Sequence, residues 1–199
     1  MTVRARFGLL GHMRWILLFV LPFFASPALA ATGCEDIWFT RNLIMDRAGY
    51  CFSSTLGQEL FDNSDCTGTT VTLDPRSEAI VDRIRALEAE HGCNVDTNRT
   101  YLDIKDLQFR RALVDLPIMA EGDWGCLGWT GPEVPLYNSY HEGYQPIGRL
   151  QPGDYVSFAF LSDAEGWRYV TTHAPVWGPL RSAGWLYWPE RHPCAEEAG

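Results

Sequence analysis

The chain is short of positive charge. It holds a single lysine, Lys105, and its 16 basic residues face 25 acidic ones, for a net charge of −9. No segment gathers the arginines into a basic stripe. That shortage sets aside nucleic acid as a partner and disfavours anionic lipid surfaces. After residue 30 no apolar run approaches the length of a membrane-spanning helix. A Gly-x-Ser-x-Gly elbow, a phosphate loop and a dinucleotide fingerprint are all missing. The sequence therefore implies no cofactor.

What is present begins with a leader. Arg4, Arg6 and Arg14 make a basic start, Trp15 to Ala25 is an apolar run, and Pro27-Ala-Leu-Ala30 is a small-x-small ending. This predicts a secretory signal peptide over residues 1–30, cleaved after Ala30, and a periplasmic or secreted protein. Ala31-Thr-Gly-Cys34 offers a rival lipoprotein site, but Ala31 stands where a lipobox usually has leucine.

All six cysteines follow the leader: Cys34, Cys51, Cys66, Cys93, Cys126 and Cys194. An even count in an exported chain points to three disulfides, with fifteen pairings open.

From Cys34 to Pro117 the pattern is helical. Ile37, Ile44 and Ala48 share a face, with Trp38 and Met45 beside them, and Gly49 ends the run as a C-cap would. A short helix is expected near Leu56–Phe61, with Thr55 and Gln58 as a capping-box pair. Asp74-Pro75 opens the clearest helix, lined by Ile80, Val81, Ile84 and Leu87 and stopped by Gly92. A fourth helix is expected over about Ile104 to Val114. If the first and third helices run antiparallel, Cys34 falls near Cys93 and Cys51 near Cys66.

After Gly122 the texture changes. Six of the eight tyrosines and most of the tryptophans lie from Trp124 onward, between closely spaced glycines and prolines. Strand-like runs fall at Val134–Tyr137, Ile147–Leu150, Tyr155–Phe160, Trp167–Thr171 and Ala183–Tyr187. Short strands with such punctuation predict a small β-barrel, its ends clasped by a Cys126–Cys194 pair. The fold class expected is α+β: a disulfide-tied helical domain over 34–117, then a barrel over 123–194.

Two resemblances add to this. Residues 41–52, RNLIMDRAGYCF, resemble the core of the YARHG domain of exported bacterial proteins. Arg41, Asn42, Ile44, Arg47, Gly49, Tyr50 and Phe52 match its pattern, while Met45, Asp46 and Ala48 replace the expected Tyr, Ala and His. No histidine role can therefore be carried over. By their chemistry, Arg41, Arg47, Gly49 and Tyr50 fit a structural turn: the glycine supplies a positive φ and the arginines tie the turn to carbonyls or carboxylates.

Residues 126–190 resemble a bacterial SH3-like domain. Pro135-Leu-Tyr137, Ile147-Gly148, Leu150-Gln-Pro-Gly153, Val156, Gly166-Trp-Arg-Tyr-Val170 and Ala183-Gly-Trp-Leu186 carry the likeness. Such modules often bind cell-wall peptides or glycans, and others are only scaffolds. Together with the leader, the two halves resemble a family of exported proteins of Gram-negative bacteria to which no reaction is attached.

Several motifs invite chemistry and fall short of it. Glu90-His-Gly-Cys93 looks like the nucleophile motif of L,D-transpeptidases, yet Glu90 replaces its Ser/Thr and no upstream histidine follows the leader. His141-Glu142 opens like a zinc-protease helix, but Gln145 stands at the second histidine position. Asp62, Asn63 and Asp65 lack the spacing of a calcium loop. Asn98-Arg-Thr100 is a glycosylation sequon, of a kind frequent by chance. Nothing singles out a catalytic residue or a metal ligand.

The stretch Tyr137-Asn-Ser-Tyr140-His-Glu-Gly-Tyr144-Gln145 is the best binding candidate. Tyrosines offer a flat apolar face and a hydroxyl, suited to sugars and peptides. Tyr140 and Tyr144 are expected to bind, with Trp167 and Trp177 completing a groove. The function expected is a non-enzymatic envelope-binding or adaptor protein, touching peptidoglycan through the barrel. The alternatives are an inhibitor or accessory factor of a periplasmic enzyme, and then a cell-wall hydrolase.

Overall fold

Two glycines mark where the main helices stop. In the computed structural model, which describes Met1 and residues 28–141, 143–161, 164–176, 178–188 and 193–199, helix α1 runs over Ala28–Arg47. The Tyr50 N–H donates to the Met45 carbonyl at 3.0 Å and the Gly49 N–H to Asp46 at 2.8 Å. This is a Schellman ending, and Gly49 supplies its left-handed residue with φ +86°. RNLIMDRAGYCF is thus a helix end folding back on itself. A Cβ on Gly49 would also lie 2.7 Å from Thr67 Oγ1. Gly49→Ala is expected to cost about 1–2 kcal/mol of unfolding free energy in a urea titration. A neutral result would contradict this view of the turn.

Helix α2 (Thr55–Leu60) is capped by Ser54, whose Oγ accepts from Gly57 N at 3.2 Å. The cap lies one residue before the expected Thr55, and the Gln58 side chain donates to the Phe52 carbonyl at 3.2 Å rather than closing a capping box. Helix α3 (Pro75–Glu90) starts on the Asp74 cap and ends, like α1, in a Schellman turn: Cys93 N donates to Glu88 O at 2.8 Å, with Gly92 at φ +61°.

Helices α1 and α3 pack together, and Arg41 forks onto Glu88 between them at 3.0–3.1 Å. Disulfides join Cys34 to Cys93, Cys51 to Cys66 and Cys126 to Cys194. Such links typically stabilise by about 2–4 kcal/mol each. The signal-peptide segment lies mostly outside the described residues.

Helix α4 spans only Leu107–Arg110, shorter than the expected 104–114. Its continuation tightens into turns, with Leu113 N donating to Arg110 O at 3.1 Å, and Val114 N then pairs with Asn138 O at 2.8 Å. Arg47 Nη2 donates to the Leu113 carbonyl at 2.6 Å, an oxygen that no helical N–H could reach because Pro117 stands four residues on.

The carboxy-terminal part is one antiparallel sheet of β1 (Met119–Trp129), β2 (Val134–Tyr137), β3 (Pro146–Leu150), β4 (Tyr155–Phe160), β5 (Trp167–His173), β6 (Leu180–Tyr187) and β7 (Cys194–Ala198). Their order is β3-β2-β6-β5-β4-β1-β7. This corrects the expected barrel: the sheet is open, because β1 and β7 extend it outward from β4 rather than closing it on β3.

The sheet is nonetheless strongly curled. Residues 151–154 join β3 to β4, and a chain that short reaches roughly 17 Å at full stretch. Strands four places apart in a flat sheet would be roughly 19 Å apart, and Asp154 N closes the turn on Gln151 O at 3.0 Å. Curling brings Cys126, Trp129, Leu136, Leu150, Val156, Val170 and Leu186 into one buried cluster on the inner face.

The outer face meets the helices. Tyr169, Ala183 and Trp185 share a core with Trp38, Phe39, Leu43, Leu56 and Val81. Between Cys34 and Ile44, helix α1 is consequently buried almost all round, polar residues included, rather than along one stripe. Its Asp36 meets Arg110, which is fully buried and also bonds Asp106 at 3.0 Å and Thr40 at 3.3 Å. Tyr169 of β5 donates to Asp106 at 2.7 Å, so the cluster bolts sheet to helices.

Candidate functional site

The β2–β3 connection, residues 138–145, is built around one buried carboxylate. Asn138 and Gln145 close its base, with Asn138 N to Gln145 O at 2.9 Å and Gln145 N to Asn138 Oδ1 at 2.7 Å. Asp115, on the segment leading from α4 to β1, sits beneath it and is 4% exposed. Its Oδ2 accepts from Ser139 Oγ at 2.5 Å and Tyr140 N at 3.1 Å, and lies 2.8 Å from His141 Nδ1. Arg76 of α3 holds Oδ1 at 2.7 Å. Burial works against the charge on Asp115, but these donors outweigh it and hold its pKa below the ordinary carboxylate value.

Tyr140 belongs to this hub. Its hydroxyl accepts from Arg76 at 2.8 Å, and its ring packs edge-on against Trp185 at 4.6 Å. Trp185 in turn donates its indole N–H to the Asp115 carbonyl at 2.8 Å.

Tyr144, at the far end of the same loop, goes elsewhere. It lies 4.6 Å from the Tyr137 ring and 5.6 Å from Trp167, and Trp167 lies 5.7 Å from Tyr187. Tyr144 is 43% and Tyr187 62% exposed. Trp167 and Tyr187 are register partners on the outer face of β5 and β6. The aromatic row starts inside the core at Tyr169 and Trp185 and surfaces here as a ledge. Gly166 lets the Tyr187 ring lie against the backbone, where a Cβ would come within 2.7 Å of it.

Of the four aromatic residues singled out by sequence, Tyr144 and Trp167 share the ledge, Tyr140 anchors the hub, and Trp177 lies outside the described residues. Tyr187 was not singled out. Its signal was its place two residues after Trp185, on the same strand face.

The chemical lures resolve into structure. Cys93 is in a disulfide and has no thiol. Asn63 bonds the Phe52 backbone on both sides, at 2.9 and 2.7 Å, and Asp62 closes a turn onto Ser64 N. His141 faces Asp115, and Glu142 lies outside the described residues. Among the described residues no three His, Cys, Asp or Glu side chains gather to hold a metal. No described helix is long and apolar enough to cross a membrane.

A helical, disulfide-tied part followed by a curled antiparallel sheet defines the class of this molecule. The profile of the domain of unknown function DUF4453 matches residues 92–199, more than half of the chain, and the protein belongs to that family. The YARHG domain profile matches residues 17–89. The border between the two matches falls at the end of α3. No curated protein and no solved structure matches the chain.

Proposed function

We propose that this protein is a non-enzymatic binding or adaptor protein of the periplasm, exported by its leader, and that it grips peptidoglycan glycan on the Tyr144–Trp167–Tyr187 ledge. The observation that carries this reading is the exposed row of rings, with Tyr187 62% and Tyr144 43% open to solvent. Sugar rings present C–H faces that pack on such aromatic surfaces, while the tyrosine hydroxyls supply polar contacts. Three disulfides suit an oxidising compartment. The resemblance of residues 126–190 to SH3-like domains, among which wall ligands are common, adds to this reading, although the sheet is open rather than a closed barrel.

Co-sedimentation of the oxidised protein with purified peptidoglycan sacculi tests this. Wild type should pellet, and the Tyr144→Ala, Tyr187→Ala double variant should lose most of that binding while keeping its melting temperature within a few degrees. If wild type stays in the supernatant where a known wall binder pellets, the proposal fails.

A second reading, an inhibitor or accessory factor docking on a periplasmic enzyme, draws on one feature. Val176, at the tip of the β5–β6 connection, is 81% exposed and held at φ 60°, a conformation β-branched residues avoid. A strained, projecting apolar tip suits insertion into a protein pocket. Nanomolar capture of one periplasmic enzyme, lost in Val176→Gly, would favour it.

A further inference from the structure

A small cleft opens between the last turn of α1, the first turn of α3 and the 114–116 segment. It holds about 100 Å³ and is lined by Ile44, Arg47, Arg76, Ile80, Val114 and Leu116. That is well below the roughly 300 Å³ at which pockets for drug-sized ligands begin. It suits a few heavy atoms, such as the end of an amino acid.

Its walls divide by chemistry. Ile44, Ile80, Val114 and Leu116 give an aliphatic floor, and Val114 is 63% exposed at the rim. Two guanidinium groups stand over that floor. Arg76 is paired with Asp115 and bonds the Tyr140 hydroxyl. Arg47 differs: its Nη2 bonds the carbonyls of Leu113 at 2.6 Å and Arg111 at 3.4 Å, and among the described residues it forms no ion pair. Asp115 also lines the cleft, but its oxygens already serve Arg76, Ser139, Tyr140 and His141. Arg47 thus stands beside an aliphatic hollow with no carboxylate paired to it, although the charge of Asp46, its neighbour in the chain, acts on it.

From this we infer that the cleft receives the free carboxyl end of a peptide whose last residue carries a small aliphatic side chain. The guanidinium fork of Arg47 matches a carboxylate in shape and charge. The aliphatic floor takes the side chain, which a bare inorganic anion would leave unmatched. The same chemistry occurs at a protein carboxy terminus and on a D-amino-acid peptide. The inference stands apart from the aromatic ledge, which lies on the outer sheet face, and the two are tested separately.

The test is a methyl-detected NMR titration of the oxidised full chain. The probes are L-alanyl-L-alanine, D-alanyl-D-alanine, the carboxy-terminal amide of each, and inorganic phosphate. At least one dipeptide should shift the methyls of Ile44, Ile80, Val114 and Leu116 saturably, with a Kd of about 1 mM. Its amide should bind about tenfold more weakly, the loss expected for one charge-assisted contact. Which stereoisomer binds identifies the source of the peptide.

Arg47→Gln should weaken the free acid about tenfold and leave the amide unchanged. Because Arg47 also ties the 111–113 turn, Val114→Glu serves as the second variant. It sets a carboxylate at the exposed rim and should abolish binding at an unaltered melting temperature. Saturation by neither dipeptide, equal binding of acid and amide, or the same shifts with phosphate alone would overturn the inference. So would full binding by Val114→Glu.

Discussion

Replacing Arg110 with alanine is expected to lower the unfolding free energy by about 3–5 kcal/mol, enough to threaten folding. The guanidinium is fully buried, with Asp36 on α1 and Asp106 at the start of its own helix as partners. It also lies over the rings of Phe160, at 4.8 Å, and Tyr169, at 5.9 Å. Burial pushes the Asp36 carboxyl up, even with Arg110 opposing it. Without Arg110, two buried carboxylates lose their counter-charge and must take up protons or draw in water. The damage comes from stranding charge, so removing all of the charge should hurt less. An Asp36→Asn, Asp106→Asn, Arg110→Met triple variant should lose less stability than Arg110→Ala alone. Urea unfolding followed separately by helix and by tryptophan signals decides this. Both signals should move together, since the cluster bridges helices and sheet. A loss under about 1 kcal/mol for Arg110→Ala would show that the bolt carries no weight.

Asp115→Ala is the second large effect, and it links stability to the proposed site. The change leaves the buried Ser139 hydroxyl and the Tyr140 amide without their acceptor. The cost should be about 2–3 kcal/mol, discounted from a fully buried pair because Arg76 and His141 are half exposed. Amide exchange should accelerate across residues 138–141, and the loop bearing Tyr144 should lose its seat. Sacculus binding should fall although no ring of the ledge is altered. The pH profile gives a second readout. The fold lowers the Asp115 pKa, so its stabilisation is complete above the ordinary carboxylate value of about 4 and disappears as pH falls through the lowered value. The variant should lack that acid limb. An unchanged acid limb, or normal loop protection, would contradict the hub.

The parts of the fold legible in sequence are those dictated locally. Asp74-Pro75 is a helix start and Gly92 a stop by backbone chemistry alone, and α3 runs between them. Gly49 ends α1 for the same reason. Five strands were visible from β-branched and aromatic runs between turn residues. Strands β1 and β7 were not: β1 carries three glycines, and β7 is Cys-Ala-Glu-Glu-Ala, a poor strand former held by pairing with β1 and by the Cys126–Cys194 link. The burial of Asp36 and Thr40 on α1 also depends on groups about 70 residues away, chiefly Arg110. At the site, the tyrosine-rich loop was visible as composition. Its sorting into an anchor, Tyr140, and a displayed ring, Tyr144, was not. That sorting rests on Asp115, one acid among 25, and on Arg76 from another helix.

The central claim is that the aromatic ledge contacts glycan. The most direct measurement is an NMR titration of tryptophan indole and tyrosine ring signals with soluble fragments released from peptidoglycan by a muramidase. The Trp167 indole and the rings of Tyr144 and Tyr187 should shift saturably. Trp129 and Trp185, whose indole N–H groups are tied to the carbonyls of Pro132 at 2.7 Å and Asp115 at 2.8 Å, should stay put. Shifts confined to other residues, or none at all, would contradict the claim.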